Sequence, residues 1–352
     1  MTASGTIAVL LACCCVPRAA PAKAPRDTLR IVAVGDLNLA RVVARTYILR
    51  GRGAEIFAAV RNELRAADLA IGNLESAIVD RDTVADTALS PAFAAPRAAA
   101  PLLAEAGFGA LGTANNHAWD LGEPALLESV ARLDSAGIAH AGTGPTPDAA
   151  LRPAVVRRRG WTVAIFSVTL IINFPDLMVQ GHPAECCIAW ADTTRLRAAI
   201  RTVRDSGADL VLVMLHAGRE YRDVPPDDVR ATARGIIGAG ADAVIGHHPH
   251  VPQGLEWVDG RPILYSLGNF VFAQRRPWTT RGLAAFLTVP PRGPLAVRVR
   301  PVVASERPRW AAGRDSARVM AHFRAVSDSL ARLPRTRARR NVAPPPEVPR
   351  RP

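Results

Sequence analysis

Apolar runs of strand length alternate with helix-patterned segments along most of this 352-residue chain, and several of those runs end in polar side chains. That order is the strongest constraint on what the chain can become. Strand followed by helix, repeated, predicts an α/β fold in which most strands run parallel. Strands are expected in LRIVAVGDLNLAR (29–41), DLAIGNLESAI (68–78), ALGTANNHAWDLG (110–122) and IAHAG (138–142). A hairpin follows at 154–170, then strands in ADLVLVMLHAG (208–218), ADAVIGHHPH (241–250), RPILYSLGNFVF (261–272) and two late runs within 282–303. Helical spacing places Ile56, Val60 and Leu64 on one stripe of a helix over 53–67. Further helices are expected at 96–109, 124–137, 193–207, 227–240 and 314–333, with glycine closing the first two of these. Residues 79–95 and 171–191 read as irregular.

The polar ends of the apolar runs carry the chemistry. They present Asp36 with Asn38, Asn73 with Glu75, Asn115 with Asn116 and His117, His216, and the GHHPH cluster at 246–250. In α/β sheets ligands gather beyond the carboxyl ends of the strands, so five strands deliver carboxylate, amide and imidazole groups to one edge. A buried imidazole needs partners for two nitrogens, and a metal ion satisfies one of them. Oxygen and nitrogen donors without thiolate suit Zn, Mn or Fe. The pair His248 and His250 can clamp one or two such ions, and two ions need a bridging carboxylate. Taken singly, Asp36 reads equally well as a turn residue, the Asn115-Asn116 pair as a cap, and His216 as a satisfied core histidine. The succession of such clusters is what points to one site.

The chain's ends read differently. TIAVLLACCCV (6–16) is too short to span a bilayer but has the length of a signal-peptide core, and APA at 20–22 offers a cleavage site. LLAC (10–13) also fits a lipoprotein signal with Cys13 acylated, although no basic residue precedes the run. The expected plan is a signal over 1–25, one domain over 26–333, and a disordered Pro/Arg-rich basic tail over 334–352. The protein is expected to be exported to the cell envelope or beyond. The formal charge of +13 comes almost wholly from arginine and favours anionic partners without choosing among them. No Walker-type phosphate loop is present, so nucleotide binding is not suggested.

The motifs VGDLNLAR, IGNLESAI, TANNHAWDLG, LHAGREY, GHHPHVPQG and LYSLGNF together resemble, in order, those of the CapA-type poly-γ-glutamate capsule-synthesis proteins. That family is similar in turn to the calcineurin-like metallophosphoesterases. The resemblance implies a four-layer α/β/β/α sandwich with a one- or two-metal site. By it, Asp36, Asn38, Glu75 (or Asn73), Asn116, His216, His248 and His250 would hold metal, with His247 as an alternative. Asn38 stands where phosphoesterases place a histidine. His117 resembles the histidine that protonates the leaving group, with Asp36 beside it in the catalytic set. Arg41, Asn115, Glu220 and Asn269 would lie toward substrate or behind the ligands. The implied role is synthesis, export or anchoring of an anionic polymer such as poly-γ-glutamate. Membrane-bound partner subunits and peripheral attachment through a lipid anchor would accompany it, and no nucleic acid is expected. The chemistry would be metal-dependent hydrolysis or transfer; a non-catalytic polymer-binding subunit is the alternative.

Overall fold

The computed structural model describes residues 26–80, 92–173 and 187–333, with the backbone of 178–179 and 182–183. The expectations for residues 1–25, including Cys13, and for the tail 334–352 lie outside the described residues. Among the described residues, fourteen strands build the two large sheets. They are β1 (Leu29–Leu37), β2 (Leu69–Leu74), β3 (Phe108–Gly112), β4 (Ala139–Ala141), β5 (Ala154–Arg158), β6 (Trp161–Thr169) and β7 (Leu210–His216). They continue as β8 (Ala243–His247), β9 (Leu255–Val258), β10 (Arg261–Leu264), β11 (Asn269–Val271), β12 (Arg281–Val289), β13 (Ala296–Val303) and β14 (Arg309–Trp310). The first sheet runs β14-β13-β12-β1-β2-β3-β4, with β11 added beside β1; the second runs β9-β10-β8-β7-β6-β5. Strands β1 to β4 are mutually parallel, and so are β6, β7, β8 and β10.

Strand periodicity sorts side chains into three cores. Ile31 and Ala33 of β1 join Ile165 of β6 and Leu212 and Met214 of β7 between the sheets. Their alternates Val32 and Val34 pack outward with Leu64, Leu103 and Leu133. Those three belong to the helices Arg61–Ala66, Ala99–Ala106 and Gly122–Ser135. On the far side, Phe166 and Val213 pack with Leu196, Ile200 and Ile236. The helices there are Thr193–Asp205, whose N-terminus is capped by the Asp192 carboxylate, and Asp227–Ala239. Helix, sheet, sheet, helix is the expected four-layer sandwich. A last helix, Gly313–Arg332, inserts Val319 and Phe323 between the sheets and Val326 and Leu330 into the far core.

Two expectations need correction. The stretch 53–67 is not one helix. A 3-10 turn at Gly53–Glu55 and successive i→i+3 bonds precede the helix Arg61–Ala66, though Ile56, Val60 and Leu64 are all fully buried. Turns deliver the apolar stripe as well as a helix would. Residues 261–272 are not one strand either. The chain leaves the second sheet after Leu264, crosses, and joins the first sheet at Asn269.

The crossing depends on missing side chains. A Cβ on Gly35 would fall 1.8 Å from the Gly268 carbonyl oxygen, and one on Gly282 would fall 2.0 Å from that of Asn269. Gly268 itself has φ +67°. The contact lets the Asp36 N–H donate to the Gly268 carbonyl at 3.0 Å and sets Asn269 opposite Asp36. Gly35→Ala is therefore expected to destabilise the fold by ~1–3 kcal/mol or more, through forced backbone displacement. Gly238→Ala, in an open helical position, should stabilise by ~0.5–1 kcal/mol. Denaturant titration of the two variants measures both.

Candidate metal centre

Asp36 and Glu75 are both fully buried at the carboxyl edge where the two sheets meet. The β1–β2 ladder shifts register between Ala33 and Asp36, and the β1–β11 ladder shifts again between Asp36 and Leu37. Such irregularities re-aim side chains at a strand end. The Asn73 amide lies between the carboxylates, donating to Asp36 Oδ1 at 2.9 Å and, more weakly, to Glu75 Oε2 at 3.5 Å.

Four histidines surround the pair. His250 Nδ1 lies 2.9 Å from Asn269 Oδ1 and 3.4 Å from Asp36 Oδ2. A proton on Nδ1 satisfies both oxygens and leaves Nε2 an acceptor, 3.8 Å from Glu75 Oε1. His216 Nε2 lies 3.9 Å from the same oxygen, 2.8 Å from Asn116 Oδ1 and 3.1 Å from His248 Nδ1. His247 Nδ1 stands 3.2 Å from Asp36 Oδ1 but out of line for a hydrogen bond. The loop that carries these rings is strained, with φ +96° at His248 and +59° at His250.

Burial dominates the electrostatics. It pushes Glu75 well above the usual carboxylate range, and the nearby Asp36, Glu220 and Asp120 add to the effect. Burial would also raise Asp36, but the imidazoles of His247 and His250 outweigh it and hold Asp36 well below its ordinary value. Burial, with His248 adding, holds His216 well below the ordinary histidine value; burial and His250 press His248 down to about 3. Neutral imidazole is the ligand form.

The donors fit a divalent cation. Among the described residues Glu75 Oε1 and both ring nitrogens of His247 are buried without a hydrogen-bond partner, which native proteins rarely tolerate. Two groups each place one ligand atom per residue within 4.8 Å of one another: Glu75, His216 and His248; and Asp36, Glu75 and His250. They share Glu75.

The remaining expected residues divide. His117 is buried beside the cluster, near enough to disfavour charge on His248. Its Nδ1 lies 2.8 Å from Asp120 Oδ2, which also accepts the Phe93 N–H at 2.7 Å, and its ring stacks on Phe93 at 3.9 Å. Arg41 lies over the same Phe93 ring, with its guanidinium 4.5 Å from the ring centroid. Asn116 contacts His216 and donates to Asn173 at 3.1 Å. Glu220 is exposed and holds the hydroxyl of Tyr221, which burial and that bond push up to about 12. Asn269 acts behind His250, its amide donating to Gln274 Oε1 and to the Thr279 carbonyl, both at 3.0 Å.

Two placements differ from expectation. Asn38, expected among the ligands, spends its side-chain oxygen on the Ala40 N–H at 2.9 Å, a short-range bond that fixes its own turn. Asn115, expected toward substrate, is occupied by the protein. Its amide donates to Leu74 O at 2.8 Å and Asn73 Oδ1 at 3.2 Å, and its oxygen accepts the His117 N–H at 3.1 Å. Asp120 went unassigned in the sequence, although its place three residues after His117 was a signal that a tight turn would join them. Phe93 and Phe272 carried no such signal.

The model for "Bacterial capsule synthesis protein PGA_cap" matches residues 30–274, which contain every residue of the cluster. The chain belongs to this bacterial capsule synthesis protein family. Among curated proteins, the PGA biosynthesis protein CapA of Bacillus subtilis is 31% identical over 258 residues, covering 72% of this chain and 65% of that protein. The capsule biosynthesis protein CapA of Bacillus anthracis is 28% identical over 256 residues, covering 72% and 61%. The chain thus spans just under two thirds of the length of either relative. Among solved structures, the calcineurin-like phosphoesterase YfkN from Bacillus subtilis aligns with a TM-score of 0.46 and 11% identity, over 88% of this chain and 100% of that one. The segments 35–38, 72–75, 115–117 and 246–250, all inside the matched range, are the ones that converge on Asp36 and Glu75.

His248→Ala/His250→Ala is expected to abolish stoichiometric binding of Mn, Zn or Fe, read by elemental analysis after loading. Glu75→Gln should do the same while stabilising the metal-free protein by ~1–2 kcal/mol, because it removes a desolvated carboxylate. Thermal melts with and without metal separate the two effects.

Proposed function

We propose that this chain is an exported, metal-dependent hydrolase or transferase that acts at an amide or phosphoester bond of an anionic polymer such as poly-γ-glutamate. The observation that carries the reading is Glu75 shared between two donor groups, with the His117–Asp120 pair beside them. Asp36, Glu75 and His250 would hold one divalent ion, and Glu75, His216 and His248 a second, with Asn116 adjoining it. Bound there, Mn, Zn or Fe supplies an activated water and stabilises charge on the attacking and leaving oxygens.

The chain's own groups do the rest. Asn73 fixes the two carboxylates relative to each other. Asn269 holds His250 by Nδ1, so that Nε2 faces the cluster. Asp120 holds Nδ1 of His117 and leaves Nε2 to hand a proton to the departing group. Phe93, stacked on that imidazole, keeps water from one face of it. The chain also matches CapA proteins named for capsule and PGA biosynthesis, which supports a polymer as substrate. On this reading the chain is a single domain over 26–333 behind a signal or lipid anchor at Cys13. It works at the envelope with membrane-bound synthesis or export subunits and without nucleic acid.

One observation favours a second reading, a polymer-binding scaffold without turnover: Asn38 closes its own turn and offers the cluster no imidazole. Turnover separates the two. Metal-loaded full-length protein is assayed against phosphoesters and γ-glutamyl amides, wild type beside His117→Ala. The enzyme reading expects a loss of about 10²–10⁴-fold in turnover with metal content unchanged. No turnover by the loaded wild type on any of these bonds, or full turnover by the variant, would sink it.

A further inference from the structure

Two helices end side by side at the amino edge of the second sheet, opposite the metal cluster. Thr193–Asp205 leads into β7, and Asp227–Ala239 leads into β8. Between their ends lies a hollow of about 510 Å³ lined by Arg197, Arg201, Arg204 and Arg261, with Asp242 as the one carboxylate among the described residues on its wall. The five residues of β8 run from beside Asp242 to His247, so the hollow lies roughly 17 Å from the cluster along that strand.

Backbone carbonyls pin three of the four guanidiniums. Arg197 donates to Gly238 O at 2.8 Å, Arg261 to Ile237 O at 3.1 Å and Arg204 to Gly240 O at 3.2 Å. Arg204 also pairs with Asp242 at 2.5 Å, and the same carboxylate oxygen accepts the Val211 N–H at 2.8 Å. Arginines gather at the C-terminus of a helix to meet its last carbonyls. That role accounts for one N–H of each of the three. It does not account for Arg201, an exposed residue of the hollow whose side chain makes no hydrogen bond or ion pair among the described residues. Each guanidinium has five N–H donors, so most of them remain unused. The hollow thus holds four positive charges against one carboxylate that is already spent.

Several guanidiniums around a small hollow suit a compact anion with several oxygens, which phosphate is and a single carboxylate is not. The place of the hollow in the fold says how such a group would arrive. Arg26, the first described residue, pairs with Asp209 just before β7, on the same edge. Trp161, which opens β6, donates its indole N–H to the Asp27 carbonyl at 2.7 Å. The chain upstream of Arg26 therefore joins the body on the edge that carries the hollow, and the metal cluster lies on the other. We infer that this hollow is a second binding site, which takes the phosphate of an anionic lipid headgroup and sets the protein on a membrane surface with its metal cluster turned outward. The site stands apart from the metal chemistry proposed above; the membrane as the source of its phosphate draws on the envelope location in that reading.

Vesicle flotation of the full-length protein tests the inference. The vesicles are phosphatidylcholine alone, or phosphatidylcholine with an equal amount of phosphatidylglycerol. Neutral vesicles report what the segment upstream of Arg26 contributes, and the difference between the two reports the anionic headgroup. Arg201→Gln/Arg261→Gln is compared with wild type and with Arg314→Gln/Arg324→Gln, which removes the same charge from exposed positions of the last helix. The expected result is a loss of about tenfold or more in affinity for anionic vesicles in the hollow variant, and a change of less than about twofold in the control. Affinity unchanged in the hollow variant, or lost equally in the control, overturns the site. Thermal melts in inorganic phosphate and titration with labelled hexameric γ-linked glutamate cover the other sources of an anion. A phosphate-induced rise in Tm, or a hexamer affinity, that the hollow variant loses while its vesicle binding is unchanged overturns the membrane role. Metal content and turnover of the same variants are expected to match wild type. Anionic-vesicle binding that depends on the hollow, in a metal-loaded protein without turnover, overturns the enzyme reading and leaves the site standing.

Discussion

Two carboxylates with no exposure to solvent, a few ångströms from each other's ligands, are the constraint around which this molecule is arranged. Burying one unpaired charge is expensive, and burying two in one place is more so. The protein meets the cost in part with a shared Asn73 amide and the imidazoles beside Asp36. Glu75 is left with an oxygen that no hydrogen bond among the described residues satisfies. That residual deficit gives the cluster its use, because a site complete in itself would have no reason to take a cation. The positive φ values at His248 and His250 belong to the same arrangement: strain is tolerated where the surrounding fold over-determines it.

The four layers exist to bring two parallel strand sets to one edge. Asp36 and Glu75 come from the first sheet and its exit loop, and His216 and His247 from the strand ends of the second. Neither sheet alone holds a complete donor group, since each of the two groups mixes residues from both halves. The crossing between sheets at Gly268 adds Asn269, which orients His250 from behind. The helix Gly313–Arg332 lies beyond the family-matched region yet seals the space between the sheets with Val319 and Phe323. It also supplies Ser327, whose hydroxyl accepts the Leu255 N–H at 2.9 Å, just past the histidine loop.

Much of this was legible beforehand because strand periodicity and strand-end polarity are local properties. The helix 227–240 and the strand before His216 could be read within a residue or two from apolar spacing alone. The failures were of another kind. Residues 261–272 look like one strand because an apolar run carries no mark of which sheet it joins. The roles of Asn38 and Asn115 were misplaced because an amide is equally suited to a ligand, a turn or a clamp, and only its neighbours decide. Asp120 was overlooked because its importance lies in a 2.8 Å contact with His117, not in a pattern.

The sequence by itself determined the fold class, the order of the elements and the chemical type of the site, because hydrophobic period and donor identity reside in short stretches of chain. Only the tertiary structure decided that Glu75 serves both donor groups and that Asn269 stands behind His250. Those facts are contacts between residues far apart in the chain. They follow from how two sheets dock and where glycine lets two backbones touch.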